Sequence, residues 1–133
     1  MQIGEVAQRT GLSLRAIRYY EEVGLIRPSS RTQGGFRLYT EPDVARLNLV
    51  KRMKPLGFSL EQARDLLGVL DALDAAEADS GERDALVGRL ATYRVAVQRR
   101  CTELRKELDT AEAFSADLKT EISRQRRAAA GLA

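Results

Sequence analysis

The chain has 133 residues, with 22 Lys and Arg against 19 Asp and Glu, a formal net charge of +3, one cysteine and no histidine. That length suits one modest core with an appendage, and one cysteine without histidine excludes an internal disulfide and leaves almost nothing from which to build a soft-metal site within one chain. No apolar run reaches the length of a membrane span and no charged-then-apolar leader opens the chain, so a soluble cytoplasmic protein, bound to no cofactor and no membrane, is expected. The charge is uneven: residues 1–70 hold 11 bases and 7 acids (+4), whereas residues 71–133 hold 11 and 12 (−1). A nucleic-acid face is therefore to be sought in the first half.

Taken in chain order, a first helix is expected from about Gly4 to Thr10, turning Val6 and Ala7 inward and stopping at Gly11, a residue that tolerates the left-handed conformation of a helix end. Ser13 is placed to cap a second helix with an inward stripe of Ile17 and either Tyr20 or Val23, ending at Gly24. Two short helices across a tight turn make a helix-turn-helix. The segment SSRTQGGFRLYT then predicts a hairpin turning at Gly34-Gly35, with Phe36 and Leu38 facing the helices and Arg37 and Tyr39 outward. Thr40 and Asp43 form a capping box for a third helix, with Val44, Leu47, Val50 and Met53 as its inner stripe and Pro55 ending it. Ser59-Leu60-Glu61-Gln62 is a second capping box, opening a fourth helix that buries Leu60, Ala63, Leu67 and Leu70.

Residues 71–81 (DALDAAEADSG) carry four acids and no base and are assigned to a helix tail and linker. The last segment begins near Glu82 and is expected to stay helical to about Arg127, on the order of 65 to 70 Å. Leu90, Val97, Leu104, Ala111 and Leu118 recur every seven residues, with Leu86, Tyr93, Cys101, Leu108, Phe114 and Ile122 between them. A seam so narrow and long calls for a partner helix. Residues 82–106 hold seven bases and three acids, and residues 107–123 one base and five acids. An antiparallel homodimer brings each basic half beside the acidic half of its twin, whereas a parallel one sets like against like. The expected division is thus a DNA-binding domain over 1–70, a linker over 71–81, a dimerisation helix over 82–127 and a flexible tail over 128–133.

In a helix-turn-helix the second helix enters the major groove of double-stranded DNA with its N-terminal residues nearest the bases. Ser13, Leu14, Arg15 and Ala16 fall there, and only Arg15 has the bidentate donors that read guanine. Arg18 and Tyr19, one turn on, are expected at phosphates, which fix register rather than sequence. The opposing reading pairs Arg15 and Arg18 with Glu21 or Glu22 on a solvated face. Arg37 and Tyr39 would grip the flanking backbone as a wing. Arg52 and Lys54 would form a second wing, or else a solvated helix end favoured by the dipole.

The succession IGEVAQRTGLS, RAIRYYEEVGLI, GGFRLYTEPDVARL and LGFSLEQARDLL, over about residues 2–70, resembles the MerR family of bacterial transcription regulators in order and spacing. The resemblance implies a mainly α winged helix-turn-helix domain followed by a long antiparallel coiled-coil dimerisation helix. It further implies a pseudo-palindromic operator between the −35 and −10 elements, whose overlong spacer the dimer bends and undertwists so that RNA polymerase engages both. Arg15, Arg18, Tyr19, Arg37, Tyr39 and Lys54 match positions where the family uses DNA contacts. Metal-sensing members place cysteines at the start of the dimerisation helix and in a loop after it; Asp79-Ser80-Gly81-Glu82 and the tail from Arg124 to Ala133 carry neither Cys nor His. No metal is expected, and no small-molecule effector is identified.

Cys101 lies on the seam, together with Leu90, Val97, Leu104, Leu108, Ala111 and Leu118. It is either an inert packing residue or a redox switch activated by Arg99 and Arg100. No nucleophile-base grouping or phosphate-cradling loop points to an enzyme. The alternative to a promoter regulator is an architectural or excisionase-like accessory protein, which lacks need of so long a dimer helix.

Overall fold

The computed structural model describes residues 1–27, 30–31, 33–76 and 81–131. Five helices and one small hairpin follow in order: α1 (Ile3–Thr10), α2 (Leu14–Glu22), β1 (Ser30–Arg31), β2 (Arg37–Leu38), α3 (Glu41–Met53), α4 (Leu60–Ala75) and α5 (Gly81–Ala129), with a 3-10 turn at Lys54–Leu56. The chain divides into two compact units, Met1–Tyr93 and Arg94–Ala133. Among the described residues no helix is long and apolar enough to cross a membrane.

The helix boundaries follow from local chemistry. Gly11, at φ 73°, closes α1 by donating its N–H to the Ala7 carbonyl. The turn beyond is fastened twice: the Thr10 hydroxyl donates to the Val6 carbonyl at 2.8 Å, and Lys51 Nζ on α3 donates to the Thr10 carbonyl at 2.7 Å. The Ser13 hydroxyl accepts the Ala16 N–H at 3.0 Å and starts α2. Both capping boxes form as expected. Thr40 and Asp43 exchange bonds of 2.9 and 3.3 Å, and Ser59 and Gln62 bonds of 2.9 and 3.1 Å, supplying orphan donors of the first turns of α3 and α4.

The core of the first unit consists of two clusters. Val6, Ile17, Ile26, Tyr39, Val44 and Leu47 form one; Leu25, Val50, Met53, Ala63 and Leu67 form the other. Tyr20 packs against both, so it is a core residue seating α2 on α3 and α4 alike. The inner stripe of α3 is buried as expected, while α4 buries Ala63, Leu67 and also Val69, leaving Leu60 and Leu70 half-buried. Arg46 Nε donates to the Leu25 carbonyl at 2.7 Å and its guanidinium pairs with Asp71 at 2.6 Å, tying the chain after α2 to α3 and α4.

Residues 71–75 form the tail of α4, and α5 runs from Gly81 to Ala129; residues 77–80 of the expected linker and 132–133 of the expected tail lie outside the described residues, as do Pro28, Ser29 and Thr32. The first compact unit reaches Tyr93, not 70. The reason is that the opening turns of α5 complete its packing: Leu86 is buried, Tyr93 stacks on Phe58 with centroids 5.8 Å apart, and the Tyr93 hydroxyl donates to Asp65 at 2.5 Å. Heptad spacing looks the same whether a stripe packs on its own domain or on a partner.

Beyond Tyr93, α5 is a single helix whose large apolar side chains are bare. Leu104, Leu108, Phe114, Leu118 and Ile122 are 37 to 63% exposed, and Val97 and Cys101 are intermediate. An apolar stripe of that extent on an isolated helix has nothing of its own to pack against.

Candidate nucleic-acid interface

The Ser13 cap fixes the N-terminus of α2, and the burial of Ile17 fixes its rotation, so Arg15, Arg18 and Tyr19 emerge together on the opposite face. Positions three and four apart on a helix are neighbours, which makes these three one patch. Tyr19 is 49% exposed, and its ring meets that of Tyr20 at 5.8 Å and 55°. Among the described residues neither arginine of the patch enters an ion pair with Glu21 or Glu22. The solvated, self-paired reading therefore loses its partners. Ala16 is half-buried and Ser13 uses its oxygen in the cap, leaving its O–H to donate.

Glu21 has other business. Its side chain is only 8% exposed, accepts the Tyr39 hydroxyl at 2.7 Å and forms an ion pair with Arg37. Tyr39 is thus 3% exposed and part of the core, which corrects its placement as an outward backbone contact. Burial pushes its phenol pKa up, an effect partly offset by the nearby charges of Arg37 and Arg18. Phe36, expected inward, is 63% exposed at the hairpin end. Strict alternation failed because β2 has only two residues, paired as Ser30 with Leu38 and Arg31 with Arg37. Tyr39 has already left that ladder, and its N–H donates to the Met1 carbonyl at 2.7 Å.

Arg37 keeps 43% of its side chain exposed beside a groove of about 530 Å³ that Arg18, Glu21, Phe36 and Tyr39 also line. Arg52 lies in the last turn of α3 and Lys54 opens the 3-10 turn; both are exposed. Sequence reasoning found the cations but not the buried carboxylate among them. The available signal was positional: Glu21 lies four residues after Ile17, on the inner side of α2. Among the described residues no group of three or more His, Cys, Asp or Glu is gathered to hold a metal ion.

Two short helices across a pinned turn, a hairpin at their side and a capped helix pair behind them define a winged helix-turn-helix DNA-binding protein. The family described as "MerR HTH family regulatory protein" matches residues 1–69. The chain is 42% identical over 109 residues to the HTH-type transcriptional regulator HmrR of Rhizobium leguminosarum bv. viciae, covering 82% of this chain and 81% of that one. It is 46% identical over 74 residues to the mercuric resistance operon regulatory protein of Bacillus cereus, spanning only 56% of that relative's length. HiNmlR, a MerR family regulator lacking the sensor domain and solved bound to promoter DNA, shares the fold at a TM-score of 0.64 and 24% identity, over 98% of this chain and 94% of the other. The protein belongs to the MerR family and is a DNA-binding transcriptional regulator, like the relatives it matches.

Proposed function

We propose that this protein works as a homodimer on a pseudo-palindromic operator between the −35 and −10 elements of a promoter, distorting the spacer to control how RNA polymerase engages it. The observation that carries the reading is the exposed patch of Arg15, Arg18 and Tyr19 on a helix whose rotation the core has fixed. Arg15 reads a base edge; Arg18, Tyr19, Arg37, Arg52 and Lys54 hold phosphates, which sets register without reading sequence. The second copy comes from α5: its bare stripe asks for a partner helix, and its basic first half and acidic second half match an antiparallel twin. Two patches related by a two-fold axis favour a palindrome. The proposed seat is the bacterial cytoplasm, at the nucleoid when DNA is bound.

The mercuric name of one relative is not extended to this chain, because one cysteine and no histidine leave a thiophilic ion without a ligand set. For Cys101, half-buried on the stripe, we keep the packing role.

Mapping the DNA bound in the host cell, followed by footprinting of the strongest site, tests the reading. Protection centred in a promoter spacer is expected; protection that avoids promoters would favour the architectural alternative. In the same site Arg15→Ala should cost about 1–3 kcal/mol and relax the preference at one base pair per half-site. Equal loss on every sequence would assign Arg15 to a phosphate instead.

A further inference from the structure

The wing arginine does not stand alone. Glu21, on the helix proposed to enter the groove, is nearly sealed from solvent and carries two bonds from the hairpin side, the Tyr39 hydroxyl at 2.7 Å and the Arg37 guanidinium. Such a carboxylate has few other places to put its charge, since a buried anion must be compensated where it sits. The guanidinium has five N–H donors in a planar fork, so one edge can satisfy a carboxylate while another remains for a phosphate. Its side chain keeps 43% of its surface exposed. Among the described residues Arg15 and Arg18 show no ion pair with a carboxylate, whereas Arg37 in the wing beside them has one in Glu21.

We infer that Glu21 is a positioning residue that offsets the charge of Arg37 and so lowers its sequence-independent pull on DNA. The inference rests on the DNA-binding reading above. A free arginine would release a counterion on any duplex and strengthen binding everywhere; a compensated one releases less and contributes less. Glu21 is a positioning residue here, acting through Arg37 and not by touching DNA.

The salt dependence of binding isolates this role, because a merely structural contribution changes affinity without changing the number of counterions released. The probe is a random-sequence duplex with the full chain. Glu21→Gln keeps an acceptor for Tyr39 but removes the charge. Its slope of log affinity against log salt should steepen by about 0.9, one further counterion, with tighter binding at low salt. In an Arg37→Ala background the same change should leave the slope where it was. Tyr39→Phe, which keeps the ion pair, should also leave it unchanged. An unaltered slope in Glu21→Gln, or the same steepening without Arg37, overturns the inference. Should Glu21→Gln fail to fold, Arg37→Ala alone decides: flattening by clearly less than about 0.9 supports a pre-neutralised arginine, and flattening by the full amount refutes it. A native chain that binds no duplex would remove the DNA-binding reading itself, a result distinct from binding with an unaltered Glu21→Gln slope.

Discussion

The two compact units solve the problem of apolar surface in opposite ways. Met1–Tyr93 gathers buried side chains into two clusters, with Tyr20 packed against both and Val6, Ile17 and Leu47 fully enclosed. Among its described residues Arg94–Ala133 encloses none: Leu108, Phe114 and Ile122 are each more than half exposed. One region has the contacts to fold by itself, while the other has helix propensity and a stripe awaiting cover. An isolated helix gains most of its stability in a protein from the packing of such a face, so the second region's order is expected to depend on association.

The largest effect should come from the self-sufficient region. Leu47→Ala, at a position 0% exposed, should cost about 2–5 kcal/mol, read as a lowered midpoint in chemical denaturation. A loss confined to a few tenths would mean that the core there is not tightly packed. An intermediate effect is expected from the exposed stripe. Leu108→Glu should leave the fold of residues 1–93 intact, yet weaken self-association at least tenfold, about 1.4 kcal/mol, in sedimentation equilibrium. Unchanged association would place the dimer contact elsewhere and sink the antiparallel pairing.

The smallest effect concerns where one region gives way to the other. Asp65 receives the Tyr93 hydroxyl and the Arg89 guanidinium, and these bonds, the tyrosine's first, hold its carboxyl below the usual aspartate range. A lowered folded-state pKa means the contribution is complete above the ordinary aspartate value and is lost as pH falls through the lowered one. Carboxyl titration by NMR should place Asp65 low, and Tyr93→Phe should move it back up. An unmoved midpoint would show that Arg89 alone sets it.

What could be read from the sequence was local. Thr40 with Asp43, Ser59 with Gln62, and Gly11 each announce a helix end through bonds within four residues, and each forms. The inner stripe of α3 was legible for the same reason, since Val44, Leu47, Val50 and Met53 follow one helical face. The placement of Tyr39 was not legible, because what draws it inward is a carboxylate 18 positions earlier in the chain. Nor was the boundary at Tyr93: Leu86 and Leu118 share a helical pattern, but Leu86 is buried and Leu118 is 48% exposed. Of the proposed interface, the cations on α2 emerge where helical periodicity put them, whereas the compensation of Arg37 depends on a contact between separate elements.

The position of Tyr20 has one more consequence. Its ring touches both clusters, and α4, which supplies Ala63 and Leu67 to the second, holds Asp65 on its outer side against the opening turns of α5. In a close-packed interior a shifted wall is felt by the next side chain. The seating of α2 therefore shares one packed core with the contact between α4 and the opening turns of α5.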